Sequence, residues 1–270
     1  LYCRRRGYFT FKSIDLISSD LLASNKLALQ VRSEASLYVF PKPVSERELD
    51  IPIERILGEI ITRRHLVEDP FEFRGIREYS FRDPLKMINW KASARSESLM
   101  VNIPGYTSTQ AVEVLVNVEY PSLWSEERLI EDAIRVAATL SDRLNTEGMP
   151  VGLRTNGRDI VTRETLRVTS GSSDDHLVAI NEILARIDLH LQAPAFIDLL
   201  DTCLAEADDG PLYILVSAAF GPEIQDRFRA IRERGMRCLW IVPHIAGQPA
   251  LLDPDLEDSG AVIKRGVASA

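Results

Sequence analysis

The second half of the chain alternates short apolar runs with amphipathic stretches, and this alternation restricts the possible folds more than any other feature. The apolar runs are AVEVLVNV at 111–118, LYILVS at 212–217 and RCLWIV at 237–242. Runs of this length and aliphatic content predict strands that are buried on both faces. We expect such strands to form a sheet that is covered by helices.

The stretches between these runs carry the start and stop signals of helices. Ser125 precedes Glu126 and Glu127, which predicts an N-cap followed by an acidic first turn, and Gly148 predicts the end of that helix. Apolar residues at helical spacing predict three more helices, which begin at Ser172 or Ser173, near 195 and at 222. We also expect a last edge strand around Val262. Strands that alternate with helices predict a doubly wound α/β fold with a mainly parallel sheet.

One tight turn is predicted inside this half. Asn156-Gly157 follows an apolar run at 151–155 and precedes a second short run at 159–161. Asn-Gly is the residue pair that two-residue hairpin turns favour, because both positions tolerate positive φ. We therefore expect a hairpin with its turn at Asn156-Gly157.

The first 105 residues have a different pattern. Residues 8–17, 27–31 and 36–40 alternate loosely between apolar and polar side chains, which predicts antiparallel strands. Residues 49–61 fit either a helix or a strand followed by a loop. The chain therefore divides into a β-rich domain at 1–105 and an α/β domain at 106–270.

Charge and motifs exclude several classes of function. The 270 residues carry a net charge of -8, which argues against a protein that wraps duplex DNA, and we expect no nucleic-acid partner. The phosphate-binding motifs GxxxxGK[ST] and GxGxxG do not occur, and neither does the GxSxG motif of serine hydrolases. The four histidines lie far apart, without adjacent serine or cysteine residues. We expect no catalytic residues and no cofactor, and a non-enzymatic function is favoured.

The segment 71–103, called the signature segment below, brings basic and aromatic side chains together. It reads FEFRGIREYSFRDPLKMINWKASARSESLMVNI. Its recognisable elements are Arg77-Glu78-Tyr79, Arg82-Asp83-Pro84, Ile88-Asn89-Trp90 and Ser93-Ala94-Arg95. We expect a turn at Asp83-Pro84 and a short helix over 84–94 that directs Met87, Ile88 and Trp90 inward.

These elements, in this order, resemble the signature of the DUF58 family, in which Arg-Glu-Tyr is followed by Gly-Asp-Pro, Ile-x-Trp and Ser-Ala-Arg. Arg82 stands where the family usually has glycine, which makes the turn less permissive. The flanking sequence agrees with the layout of the family, so the resemblance covers nearly the whole chain. It implies that the second domain is similar to von Willebrand factor A domains.

The resemblance also implies a location and a partner. DUF58 proteins commonly carry a pair of membrane helices upstream of this region, and they are often associated with MoxR-type AAA+ ATPases. The chain begins at Leu1 and continues with the basic run Arg4-Arg5-Arg6, which suits the cytoplasmic end of a membrane helix. We therefore expect a scaffold or adaptor that is anchored in the cell membrane, faces the cytoplasm and binds such an ATPase.

A von Willebrand A domain often holds a metal ion at the carboxyl ends of its strands, through Asp-x-Ser-x-Ser and a later aspartate. Here Asn117, Glu119 and Pro121 stand at the first three positions, and Ala218 lies where the later aspartate is needed. Mg²⁺ requires hard oxygen ligands. We therefore expect a degenerate metal site that binds no metal, and a protein-contact surface around Glu119, Tyr120, Asn156 and Ala219.

The arginines of the signature segment leave three interpretations open. Arg77, Arg82 and Arg95 can pair with nearby carboxylates such as Glu78 and Asp83, with Trp90 at the junction between the domains. They can instead hold an anion, such as a cell-envelope precursor, in an enzyme or a sensor. Single-stranded nucleic acid stacked on Tyr79 and Trp90 is the third interpretation, which the acidic net charge disfavours.

Overall fold

The computed structural model describes residues 3, 5–19, 26–45, 73–80, 88–96, 98–104, 111–120, 127–206, 211–248 and 250–267. The predictions at 49–61, at the Asp83-Pro84 turn and at the Ser125 N-cap lie outside these residues. The chain divides into two compact units: Leu1–Ile51 together with Ala111–Ala270, and Pro52–Gln110. The two domains predicted at 1–105 and 106–270 stay a prediction.

Strands and helices alternate along most of the described chain. The elements in chain order are β1 (Gly7–Ser19), β2 (Lys26–Val39), β3 (Phe73–Glu78), α1 (Trp90–Ser93), β4 (Met100–Pro104), β5 (Val112–Val116), α2 (Glu127–Thr146), β6 (Val151–Arg158), β7 (Thr165–Gly171), α3 (Asp174–Arg186), α4 (Phe196–Ala205), β8 (Leu212–Val216), α5 (Pro222–Glu233), β9 (Cys238–Ile245), α6 (Pro254–Asp258) and β10 (Val262–Val267).

The larger unit contains a sheet of six strands in the order β10-β9-β8-β5-β6-β7. All neighbouring strands are parallel except β7, which is antiparallel to β6. Every residue of β5 and β8 is buried, so both faces of the centre of the sheet are covered. The predicted mixed α/β fold with a mainly parallel sheet and flanking helices is confirmed.

Helix α2 packs on four strands of this sheet, β5, β6, β8 and β9. Its buried face includes Ile130, Ile134, Ala137 and Leu144, at the spacing that places side chains on one side of a helix. Burial of such a face, rather than helix propensity alone, supplies most of the stability of a protein helix.

The hairpin predicted at Asn156-Gly157 is wrong. Strand β6 continues through both residues to Arg158, and the chain turns only at 159–164. There the carboxylate of Asp159 accepts hydrogen bonds from the backbone of Val161, at 2.6 Å, and of Thr162, at 3.2 Å. Glycine at 157 serves close packing instead, because a Cβ at this position would lie 2.8 Å from the Ile187 side chain.

Two ionic contacts, one buried and one partly buried, join distant segments of the larger unit. Arg265 on β10 donates hydrogen bonds to both carboxylate oxygens of Asp132 on α2, and both side chains are almost fully buried. Near the start of the chain, Arg6 pairs with Glu131 at 2.9 Å and donates to two backbone carbonyls around the end of α3. The second contact ties the base of β1 to the helical layer.

Strands β1 and β2 form a long antiparallel hairpin. The two strands predicted at 27–31 and 36–40 belong to the single strand β2, in which the pairing register shifts once. Apolar side chains remain exposed along this hairpin. They include Ile14, Leu16, Ile17, Leu27 and Leu29.

The described part of the smaller unit is an antiparallel pair, β3 and β4, with the short helix α1 beside it. Ile88 bridges to Val101, and both side chains are buried, as predicted for Ile88. Trp90 was predicted to point inward, and this prediction is wrong, because its side chain is 69% exposed. The helix is a single turn, so residues two positions apart face different directions.

Within the described residues, none of the helices combines the length and the apolar character that crossing a bilayer requires.

Candidate functional site

The candidate site lies where the strand order of the six-stranded sheet reverses. Strands β5 and β8 are neighbours, while the chain leaves β5 towards β6 and leaves β8 towards β9. In doubly wound sheets, ligands bind in the crevice outside the carboxyl ends of the strands at such a point. The residues that follow the two strands here are 117–119 and 217–219.

A network of neutral polar side chains fills this position. Asn117 donates from Nδ2 to Oγ of Ser217 at 3.0 Å, and Asn156 donates from Nδ2 to Oδ1 of Asn117 at 3.0 Å. Ser217 in turn donates to the carbonyl oxygen of Ala219 at 2.7 Å. All three polar side chains are at most 3% exposed.

The same side chains also hold the backbone of the adjoining loop. Oδ1 of Asn117 accepts a hydrogen bond from the backbone N–H of Glu119 at 2.9 Å, and Oδ1 of Asn156 accepts one from that of Val118 at 3.0 Å. Asn156 also donates to the carbonyl oxygen of Pro194 at 3.0 Å. The network therefore connects four segments that are far apart in the sequence, at 117–119, 156, 194 and 217–219.

The hydrogen bonds of this network have a structural role, because they satisfy buried neutral groups. A serine hydroxyl becomes a nucleophile when a base accepts its proton. The described partners of Ser217 are an amide donor and a backbone carbonyl, neither of which is a base. Burying neutral groups that satisfy one another avoids the large cost of burying an unpaired charge.

Glu119 has a separate role at the start of α4. Its Oε2 accepts a hydrogen bond from the backbone N–H of Phe196 at 3.1 Å, where the N-cap residue Ala195 provides no side-chain bond. Partial burial raises the pKa of the Glu119 carboxyl, and the nearby Asp198 and Glu223 raise it further, against the hydrogen bonds that lower it. Glu119 therefore caps a helix, which satisfies one of the unpaired N–H groups of its first turn.

The surface beside Glu119 is acidic and carries one exposed aromatic ring. Tyr120 is 44% exposed. Its pKa is raised by partial burial and by the charges of Glu127 and Glu131. Among the described residues of this edge, Tyr120 and Glu127 are exposed, and Glu119 and Glu131 are half-buried.

The positions predicted for a degenerate metal site are distributed differently. Asn117 belongs to the buried network, Glu119 caps α4, and Ala218 is buried, while Pro121 lies outside the described residues. In the described part of the chain, no group of three or more His, Cys, Asp or Glu residues is arranged to hold a metal ion.

Ser217 is the site residue that the sequence reasoning missed. The sequence analysis expected a carboxylate at the end of β8, so it did not predict a role for the hydroxyl of Ser217, which directly follows the strand. Val116 and Val216 are paired in register, so Asn117 and Ser217 occupy the next equivalent positions on neighbouring strands. A polar residue directly after each of two adjacent apolar strands was the signal that could have identified the pair.

A second polar cluster, in which Glu113 is buried and Glu206 is exposed, lies along β5, β6 and β7. Glu113 accepts hydrogen bonds from Arg154 at 3.3 Å and from Ser170 at 2.9 Å, and Arg154 also pairs with Glu206 at 2.6 Å. The nearby thiol of Cys203 is buried, and this burial raises its pKa to about 11. A thiol with such a pKa is almost wholly protonated at neutral pH and is a poor nucleophile.

In the signature segment, polar side chains other than the arginines also form contacts that hold the local fold. Asn89 caps α1 by accepting from the backbone N–H of Ala92 at 2.9 Å. Ser93 Oγ donates to the carbonyl of Asn89 at 2.8 Å and accepts from the N–H of Met100 at 2.8 Å. Asn89 and Ser93 thus tie α1 to β4, a role that the sequence reasoning did not assign.

The charged residues of the same segment whose burial is described lie at the surface. Arg77 and Arg95 are exposed, and Arg77 donates to the carbonyl of Glu78 at 3.1 Å. The carboxylate of Glu78 accepts from Ser98 at 3.1 Å. The backbone N–H of Tyr79 bonds to Leu99 at 2.7 Å, and its side chain is half-buried. Arg82 and Asp83 lie outside the described residues.

Comparison with protein-family models and with curated proteins gave no match to this chain. The resemblances to the DUF58 family and to von Willebrand A domains therefore stay predictions.

Proposed function

We propose that the protein is a non-enzymatic scaffold or adaptor that is tethered to the cell membrane and binds a MoxR-type AAA+ ATPase. In this proposal the larger unit is a von Willebrand A-like domain whose metal site is degenerate. The observation that carries the proposal is the closed network of Asn117, Asn156 and Ser217 at the point where the strand order reverses.

The network supports a binding role because its three side chains are neutral, and Glu119, the carboxylate beside them, caps helix α4. Neutral amide and hydroxyl groups satisfy one another there, and they hold the adjoining loop in place. The strand order is the 3-2-1-4-5-6 order of doubly wound sheets, which agrees with a von Willebrand A-like fold. A rigid edge with an exposed aromatic ring, Tyr120, suits protein contact, since aromatic residues are enriched in interfaces.

Membrane tethering is supported by the family resemblance and by the basic run near the start of the chain. Of that run, Arg5 is exposed, whereas Arg6 folds against the larger unit through Glu131. In this proposal the described residues face the cytoplasm.

The test is the binding of this chain to a MoxR-type ATPase from the same organism, measured without nucleotide, with ADP and with ATP and Mg²⁺. We expect binding that depends on the nucleotide and that weakens in Tyr120→Ala. Val178→Ala is the matched control, because Val178 is an apolar side chain of similar exposure, 45%, on α3. A folded chain that binds the ATPase in none of the three states would refute the proposed partner.

The proposal that the metal site is degenerate can be tested separately, by measuring the effect of Mg²⁺ on the Tm. We expect Mg²⁺ added to the isolated chain to leave its Tm unchanged, because the partners of Asn117 are an amide, a hydroxyl and a backbone N–H. A Tm that rises with Mg²⁺ concentration and then saturates would show a functional metal site.

A further inference from the structure

Trp90 is the most exposed aromatic side chain in the described part of the protein, at 69%. Tryptophan has a large apolar surface and is usually buried for most of its area. A solvent-exposed tryptophan at a fixed position is therefore unusual and indicates a binding surface. In protein interfaces, tryptophan and arginine are the residues most often found at the energetic centre.

The backbone that carries Trp90 is held rigidly. Asn89 donates its backbone N–H to the carbonyl of Met100 at 2.8 Å and caps α1 with its side chain. On the other side, Ser93 bonds to both Asn89 and Met100, and the buried pair of Ile88 and Val101 lies just before the helix. Trp90 is thus presented on a preorganised turn, which lowers the entropic cost of binding.

The two charged residues of 88–96, the described stretch that carries Trp90, are both basic, in a protein that is acidic. Lys91 and Arg95 are exposed on α1 and just after it, and within the described part of the chain neither forms an ion pair. The signature segment 71–103 contains six Arg and Lys residues against four Asp and Glu residues, in a chain of net charge -8. Charge complementarity therefore favours an acidic partner at this surface.

We propose that Trp90, flanked by Lys91 and Arg95, is an anchor that inserts into an apolar pocket on an acidic protein surface. The anchor role rests on the proposed adaptor function and adds the chemistry of the partner. A protein is favoured over a nucleic acid because an apolar pocket that accepts an indole ring is typical of protein interfaces. The two cations speed and orient the encounter, and the indole ring supplies the apolar contact.

The experiment compares variants of the full chain for binding to the MoxR-type ATPase at low and at high salt. The test variants are Trp90→Ala and the double variant Lys91→Glu/Arg95→Glu. Their controls are Leu251→Ala, which truncates another highly exposed apolar side chain, and Lys12→Glu/Lys26→Glu, which makes the same change in net charge. We expect Kd to rise at least tenfold for both test variants and to stay unchanged for both controls. The charge variant should also lose most of the salt dependence.

The outcomes separate the anchor role from the adaptor function. If the wild type binds the ATPase and both test variants bind equally well, the anchor role is overturned and the adaptor function stands. If the wild type does not bind the ATPase, the adaptor function fails, and a synthetic peptide of alternating Glu and Leu residues becomes the probe.

With that peptide, a change in tryptophan fluorescence that is lost in Trp90→Ala and absent with a Lys-Leu peptide supports the anchor. No response, or a response only to oligo-dT or inorganic phosphate, overturns it. Circular dichroism spectra that match the wild type establish that each variant is folded.

Discussion

Replacing Asn117 by alanine is the most direct test of the network at the carboxyl edge. The amide of Asn117 makes three hydrogen bonds, to Ser217, to Asn156 and to the backbone of Glu119, all between 2.9 and 3.0 Å. The side chain is 1% exposed, so water does not readily replace the lost amide. The variant therefore leaves the partner groups without their bonds in a buried place.

The expected magnitude follows from the number of groups involved. A net hydrogen bond contributes about 1 kcal/mol, and a buried polar group that loses its partner costs about 1 to 3 kcal/mol. For three bonds we expect a loss of about 3 to 5 kcal/mol in the free energy of unfolding, partly reduced if the neighbouring side chains rearrange. Domains have about 5 to 15 kcal/mol of stability in total, so this loss is easily measured.

The assay is urea denaturation followed by circular dichroism and analysed by linear extrapolation. Asn181→Ala is the control, because Asn181 bonds only to a carbonyl of its own helix at a half-exposed position, and we expect a change within about 0.5 kcal/mol. The double variant Asn117→Ala/Ser217→Ala should be less destabilised than the sum of the single variants, with a coupling of about 1 kcal/mol or more.

The result that refutes this reasoning is a loss below about 1 kcal/mol for Asn117→Ala with an unchanged m-value. The buried amide would then contribute no more than an ordinary surface residue. Strict additivity of the two single variants would separately exclude a direct contact between Asn117 and Ser217.

Three further predictions concern single sites. Burial raises the pKa of Glu119 above its ordinary value of 4.5, so the contribution of Glu119 to stability should fall as pH rises from that value through the raised pKa. Glu119→Gln should therefore gain stability relative to the wild type over this range in urea titrations, and a difference independent of pH would contradict this. Among the described residues, Arg265→Met leaves the buried Asp132 with Arg135, at 3.5 Å, as its ion-pair partner. We expect a loss of about 3 kcal/mol in the free energy of unfolding, most of which Asp132→Leu restores in the double variant. A double variant less stable than Arg265→Met would contradict the ion-pair explanation. Ser141→Ala should leave Tm unchanged or raise it, since its buried hydroxyl has no hydrogen-bond partner in the described structure and alanine has the higher helix propensity. A clear fall in Tm would contradict this prediction, because it would show that the Ser141 hydroxyl makes a stabilising contact.

The elements of the larger unit could be predicted because their signals are local. The run 111–118 contains enough apolar residues to require burial on both faces, and the structure places β5 at the centre of the sheet. The predicted cap at Ser173 is present, with its Oγ accepting from the backbone of His176 at 3.1 Å. Periodicity and caps depend on residues a few positions apart, so they can be read from the chain itself.

Asn156 shows where a local signal fails. Asn-Gly favours a hairpin turn in isolation, yet β6 continues through it. The side chain of Asn156 bonds to Asn117 and to Pro194, which are 39 and 38 residues away. Contacts of this kind outweigh a turn preference, because burying satisfied amides is worth more than a single turn propensity.

The sequence indicated where along the chain the candidate site lies, but not which side chains contact one another there. The sequence indicated Asn117, Glu119 and Ala218 as positions at the carboxyl edge, from the order of strands and from the family resemblance. Ser217 and the helix start at Phe196 joined the site only through the fold, since they lie 100 and 77 residues from their partners. Which side chain meets which across adjacent strands depends on register, and register is set by the whole sheet.

The sequence alone therefore determined the alternation of strands and helices, the acidic charge of the chain and the presence of a basic, aromatic signature segment. The tertiary structure decided that the carboxyl edge is closed by neutral hydrogen bonds and that Trp90 is exposed. The physical reason is the range of the interactions. Apolar periodicity acts between near neighbours, whereas burial and hydrogen-bond partners depend on segments that only folding brings together.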